Sequence, residues 1–207
     1  MNTKTAILAS QNKNKIREIE AILGKHGFSV ISRDDAGIPT DDIEETGTTF
    51  EENSYIKASA IRDMIEADPA LEKYLDSPII ADDSGLMVDA LDGAPGIYSA
   101  RYAGEGCTYD DNNVKLLAAL EGVPESKRGA CFVTVITMIW PDGSRLVARG
   151  ECKGKITEET RGDRGFGFDP VFIPDGYDKT FAEMGPDVKN RISHRAKALE
   201  ELERLLG

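Results

Sequence analysis

The segment Ala130 to Trp140, Ala-Cys-Phe-Val-Thr-Val-Ile-Thr-Met-Ile-Trp, is long, apolar and β-branched, and Pro141-Asp142-Gly143-Ser144 turns it into Arg145-Leu146-Val147-Ala148-Arg149. β-Branched and aromatic side chains suit a pleated surface and Pro-Asp-Gly supplies the turn, so the pair reads as a β-hairpin whose second strand extends through Gly150 to Ile156. Upstream, strands and helices alternate. Thr5 to Ala9 reads as a buried strand, Ile16, Ile19, Ile22 and Leu23 mark an amphipathic helix closed by Gly24 or Gly27, and Phe28 to Ile31 is a second strand. A long acidic loop from Arg33 to Gly47 precedes a helix that starts with Thr48, Thr49 and early glutamates and runs to about Ala67. Thr108 to Leu120 reads as a further helix with Val114, Leu117 and Leu120 inward, Asp169 to Pro174 as a strand, and Ser193 or His194 to Leu206 as the last helix. Early alternation followed by a hairpin predicts a mixed α/β fold around a long twisted sheet, in a chain with no repeat and no linker.

The formal charge of −12 over 207 residues disfavours unspecific binding to nucleic acid or an anionic membrane, which needs a basic footprint. No apolar run approaches a membrane span and the N-terminus passes straight into a strand, so the expected location is the cytoplasm. Cys107, Cys131 and Cys152 are odd in number and lack a Cys-x-x-Cys spacing, which suggests neither a disulfide framework nor a thiolate zinc site. A small phosphate ligand remains compatible with the negative charge if basic residues gather in one pocket or a divalent cation bridges acids to phosphate.

Candidate chemistry is scattered over several segments. Ile79-Ile80-Ala81 leads into Asp82-Asp83-Ser84-Gly85, a strand ending in two carboxylates, a hydroxyl and a glycine. Successive strand residues face opposite sides, so one carboxylate of the pair faces a cleft and the other braces the turn; an ordinary polar turn fits the tetrapeptide equally well. Ser10 to Lys15 lies between strand and helix, where free N–H groups and the helix dipole favour an anion, without the glycine spacing of a P-loop. Asn53 and Lys57 share a helix face, Glu44 and Glu45 offer hard oxygen ligands, and Phe166-Gly167-Phe168-Asp169 combines aromatic rings with an acceptor for a flat base. Ser193 stands before His194-Arg195, where it either caps a helix or joins a binding group, with Lys189 and Arg191 adding positive charge.

In combination these segments resemble the Ham1 / inosine triphosphatase family from end to end. The matching pieces are Ser-Gln-Asn-x-x-Lys at 10 to 15, Glu-Glu-Thr-Gly at 44 to 47, Phe-x-Glu-Asn-x-x-x-Lys-Ala at 50 to 58 and Ala-Asp-Asp-Ser-Gly-Leu at 81 to 86, followed by Gly-Ala-Pro-Gly-Ile-Tyr-Ser-Ala-Arg-Tyr at 93 to 102, Gly-Phe-Gly-Phe-Asp-Pro at 165 to 170 and Ile-Ser-His-Arg-x-x-Ala-Leu at 192 to 199. The resemblance implies one domain over residues 1–207, an elongated twisted mixed sheet with two lobes around a substrate cleft, usually a homodimer. It implies Mg²⁺-dependent hydrolysis of noncanonical purine nucleoside triphosphates (ITP, dITP, XTP) to monophosphate and pyrophosphate. Carried over by position, Asp83 is the catalytic acid or base and, with Glu45, a metal ligand. Ser84 contacts substrate, while Ser10, Gln11, Asn12, Lys13, Asn14, Lys15, Lys57, Lys189 and, as an option, Arg101 hold phosphates. Phe166, Gly167, Phe168, Asp169, His194 and Arg195 hold the base. The first loop departs from the family's Thr-Gly-Asn: Gln11 adds a side chain where glycine allows close backbone approach. From the residues alone, a nucleotide-binding module without turnover stays open.

Overall fold

The computed structural model describes residues 4–10, 13–40 and 43–207, with residues 13 and 14 described in backbone only. Six strands, β1 (Lys4–Leu8), β2 (Phe28–Ser32), β3 (Ile79–Val88), β4 (Gly129–Ile139), β5 (Arg145–Ile156) and β6 (Phe172–Pro174), form a sheet in the order β2-β1-β3-β4-β5-β6. β1 pairs in parallel with β2 and β3, and β6 runs antiparallel to β5, so the sheet is mixed and the expected α/β class is the one observed. The predicted hairpin forms as β4 and β5, closed by bonds from Trp140 N–H to Ser144 C=O (2.9 Å) and from Gly143 N–H to Trp140 C=O (3.0 Å). The helices are α1 (Lys13–Leu23), α2 (Phe50–Ala67), α3 (Tyr109–Ala119), α4 (Phe181–Met184), α5 (Pro186–Ile192) and α6 (His194–Leu206).

The chain divides into two compact units. The first comprises residues 1–83, 135–149 and 198–207, the second 84–134 and 150–197, so β3, β4 and β5 each contribute to both. In the first unit, strand alternation sorts side chains between two apolar clusters. Ala6, Leu8, Ile80, Ile136 and Met138 pack with Ile19 and Leu23 of α1 and with Ala198 and Leu202 of α6. Ile7, Ile79, Ala81 and Ile139 pack on the other side with Ala58, Ile61 and Ile65 of α2. In the second unit, Leu86, Val88, Phe132, Ile156 and Phe172 surround Leu116, Leu120 and Phe181.

Three sequence expectations need correction, the first being the strand read over Asp169 to Pro174, which is a 3₁₀ turn over Asp169–Val171 followed by β6 from Phe172. Asp82-Asp83-Ser84-Gly85 is neither a turn nor a strand end: β3 runs unbroken from Ile79 to Val88. β1 pairs with β3 only at Ile79 and Ile80, so along 82–85 the neighbouring strand is β4, whose place in the sheet overrides the local turn chemistry, and Ser99 Oγ accepts the Leu86 N–H at 2.8 Å just beyond the glycine. On α3, Val114 points outward, 67% exposed, while Leu116 and Leu120 carry the buried face and Asn112 and Asn113 are buried beside them.

Candidate active site

The parity that sorts the core extends into the acids of β3. Asp82 follows Ile80 onto the α1 face, where Lys15 Nζ donates to both its carboxylate oxygens at 2.7 and 2.9 Å. Asp83 follows Ile79 and Ala81 onto the α2 face, where Lys57 Nζ donates to Oδ1 at 3.0 Å. Each carboxylate of the pair therefore holds a lysine on its own side. β1 stops at Leu8, opposite Ile80, and Ser10 lies just past its end while β3 continues through Asp82. Ser10 is half-buried there; Gln11 and Asn12 lie outside the described residues, as do the side chains of Lys13 and Asn14 in the first turn of α1.

Glu45 reaches the same lysine through a locked loop. Thr49 caps α2 by accepting the Glu52 N–H at 3.1 Å, and the Glu52 carboxylate accepts the Thr48 N–H at 2.6 Å, which also draws its pKa below the usual glutamate value. One turn into the helix, Asn53 Oδ1 accepts the Gly47 N–H at 2.9 Å. A Cβ on Gly47 would lie 2.6 Å from that same oxygen and 2.7 Å from Glu52 Cβ, so the loop closes this tightly only with glycine. Glu45 Oε1 then meets Lys57 Nζ at 3.3 Å, which makes Lys57 a cation between two carboxylates.

Burial decides the electrostatics of this trio. It pushes the Asp83 carboxyl above its ordinary value, outweighing the Lys57 ammonium, and nearby Glu45 adds to the rise. Burial also opposes the charge on Lys57, but there Asp83 and Glu45 win and the amine is raised above its ordinary value. Asp83 Oδ2 and Asn53 Nδ2 are both buried, and no hydrogen bond of good geometry reaches either, though Asn53 lies near enough to temper the rise at Asp83.

The aromatic segment forms a separate group in the second unit. Phe166, Gly167, Phe168 and Asp169 make a turn in which Asp169 N–H donates to Phe166 C=O at 3.3 Å and Asp169 Oδ2 accepts the Phe166 N–H at 2.9 Å. Gly165 makes room for it: a Cβ there would lie 2.1 Å from Asp169 Oδ2. Phe168 is buried while Phe166 is 46% exposed. Lys189 Nζ bonds Asp169 Oδ2 and stands 4.1 Å from the Phe166 ring centre, with the Arg195 guanidinium 5.9 Å from the same ring. The structure thus places Lys189 with the aromatic loop. Its partner Asp169 is fully buried, turned onto its own loop.

His194 is buried and stacked on Phe132, ring centres 4.7 Å apart and planes 10° apart. Ser193 does cap α6, accepting the Ala196 N–H at 3.2 Å. Ser84 Oγ shares a hydrogen bond of 2.9 Å with Thr134 of β4. Arg101 stays on its own loop, its guanidinium 5.3 Å from the Tyr98 ring and 3.9 Å from Glu105. Asn53 and Asn113 hold loops of these two groups and were missed as site residues from sequence, although the four-residue spacing of Asn53 and Lys57 pointed to the first.

The model of the Ham1 family matches residues 6–205. A dITP/XTP pyrophosphatase of Clostridium perfringens is 48% identical over 205 residues, covering 96% of this chain and 95% of that protein. One from Bacillus subtilis is 44% identical over 203 residues, covering 98% and 97%. Among solved structures, a HAM1 protein from Coxiella burnetii aligns with a TM-score of 0.86 at 39% identity, and the Staphylococcus aureus Ham1 protein with 0.85 at 41%, each alignment covering 98% of both chains.

Proposed function

The chain belongs to the Ham1 family, and from that premise we propose that it hydrolyses dITP, ITP and XTP to the nucleoside monophosphate and pyrophosphate. The observation that carries the reading is the trio of buried Asp83 with half-buried Lys57 and Glu45, which concentrates acid and cation as phosphoryl chemistry needs. Whether the trio suits a divalent metal is tested by its donors. Among the described residues no cluster of three or more His, Cys, Asp or Glu could cage an ion. Two carboxylates are present, one with a buried oxygen that no hydrogen bond satisfies. That set fits Mg²⁺, which typically takes one or two carboxylates and completes its shell with water and phosphate. Asp83 and Glu45 would hold it, and once bound it would neutralise phosphoryl oxygens and the departing pyrophosphate.

The remaining roles belong to the chain's own groups. Asp83 accepts a proton from the attacking water. Lys57, kept charged by its two acids, supplies positive charge where the phosphates are most anionic. The N-terminus of α1 and Lys15 offer further anion contacts. Phe166 presents a ring face for the base, and Arg195 a donor suited to O6 of hypoxanthine or xanthine, where adenine carries an amino donor instead. As part of the same proposal the protein acts in the cytoplasm as a homodimer and does not bind nucleic acid. Three free thiols suit a reducing compartment, and no helix among the described residues is long and apolar enough to cross a membrane.

The test is pyrophosphate release from ITP, dITP, XTP, ATP and GTP with Mg²⁺. Faster turnover of the first three is expected, and equal rates on all five refute the base-reading role.

A further inference from the structure

Two adjacent asparagines sit inside α3, where asparagine is a poor helix former and both side chains are buried. Asn112 binds the glycine-rich loop that precedes the helix: its Oδ1 accepts the Ala103 N–H at 2.7 Å and its Nδ2 donates to Ala100 C=O at 3.2 Å. Asn113 points elsewhere, its Nδ2 donating to Gly167 C=O at 3.0 Å, across 54 residues of sequence, and to Tyr109 C=O at 3.0 Å. Gly167 is the peptide between the two phenylalanines and has φ +62, a left-handed conformation that its carbonyl bond to Asn113 helps to hold. The Tyr109 ring, one turn earlier on the same helix, lies 6.4 Å from Phe166 and is itself exposed.

Asn113 Oδ1 has no hydrogen-bond partner although the residue is 1% exposed. A buried amide satisfied on one side only is a poor way to stabilise a helix, since an apolar residue of similar size would avoid the cost of that oxygen. The placement makes sense if the donor side has a geometric task. We propose that Asn113 is a positioning residue for base recognition: its amide fixes the Gly167 peptide and thereby the angle at which Phe166 meets the base. The inference rests on the proposed function, in which the Phe166 loop reads the base.

The experiment compares the wild-type chain with Asn113→Leu and with the near-isosteric Asn113→Asp, both lacking the N–H donor, using dITP, dATP and inhibition by pyrophosphate. The expected result is a KM for dITP raised about three- to tenfold, the range one net hydrogen bond spans, with the preference for dITP over dATP falling by a similar factor. In Asn113→Leu, kcat and the pyrophosphate inhibition constant should stay within about twofold and the melting temperature within a few degrees, because the chemistry lies elsewhere and the lost amide was only half satisfied. Unchanged KM and unchanged preference overturn the proposal. So does a fall of kcat and melting temperature with KM and preference unchanged, which marks a purely structural residue. If Asn113→Leu does not fold, the KM and preference of Asn113→Asp decide alone. A wild-type protein inactive on every nucleotide refutes the proposed function, and this inference with it; an active wild type with indifferent variants refutes the inference only.

Discussion

Lys57→Met removes the cation that stands between Asp83 and Glu45. At 3.0 Å the Lys57–Asp83 attraction is about 5 kcal/mol with the effective dielectric of ~20 that suits partly buried pairs, and the Glu45 contact at 3.3 Å is nearly as strong. Desolvation of the ammonium takes back much of this, so the expected cost is about 3 kcal/mol at pH 8, in the range for breaking a buried pair from one side. The cost must depend on pH with a definite sign. The Asp83 carboxyl already titrates above its ordinary value because burial outweighs Lys57. A raised carboxyl contributes stability that is complete below the unfolded pKa and lost as pH rises through the folded one, so ionised Asp83 is a burden at neutral pH. Without Lys57 the folded pKa climbs further, and protonation relieves the variant sooner on acidification than it relieves the wild type. Urea unfolding in EDTA at pH 8 and pH 5 measures this, and the cost should shrink by up to ~1.4 kcal/mol per pH unit below the variant's carboxyl pKa. Asp83→Asn in the same background should restore most of the loss at pH 8. An equal cost at both pH values, or a larger one at pH 5, would show that packing of the lysine stem, and not the acid pair, sets the stability of this group.

Asp83→Asn alone should reduce kcat by ~100-fold or more while leaving stability at pH 7 unchanged or slightly higher, since it removes a charge that burial disfavours; steady-state kinetics beside a melting curve gives both numbers, and near-normal kcat would remove Asp83 from the proton transfer. Gly165→Ala, with φ +84 and its Cβ directed at Asp169 Oδ2, should dislodge the loop and raise KM for dITP well beyond Gly167→Ala, whose Cβ meets nothing within 4 Å and costs only the left-handed strain of about 1 kcal/mol. Similar KM values for the two alanine variants would contradict the close-approach argument. Arg128→Leu strips donors from the carbonyls of Leu120, Val123, Ile156 and Thr157, all in a buried setting, and should destabilise by about 3–5 kcal/mol in denaturant titrations; a loss below about 1 kcal/mol would mean that water replaces the guanidinium.

Strand alternation was the part of the site most legible in the sequence, and its consequence was stronger than expected. Reading Asp82 and Asp83 onto opposite faces required only the two-residue period, yet the sequence pattern assigned one of them to a turn because Asp-Ser-Gly has turn chemistry. β3 runs through Gly85 beside β4, a strand remote in sequence, and no local propensity encodes that neighbour. The lysines were legible as charges but not as partners: Lys15 and Lys57 look alike in sequence and are separated onto different carboxylates by the helices that carry them. Lys189 illustrates the limit, since its partner Asp169 lies 20 residues upstream and only the fold brings its ammonium over Phe166. The two uncharged residues that set loop geometry were the hardest to see. Asn53 and Asn113 carry no titratable signal, and the groups they bind, Gly47 N–H and Gly167 C=O, are main-chain atoms that every residue possesses. A physical cue existed nonetheless. Asparagine within a helix competes with the backbone and weakens it, so Asn53 beside Ser54 and Asn112 beside Asn113 are costly choices. In both helices the cost buries an amide beneath a glycine-bearing loop. A glycine motif and a helical asparagine together therefore point to one device, a loop hung on a side-chain amide, even where neither signal suffices alone.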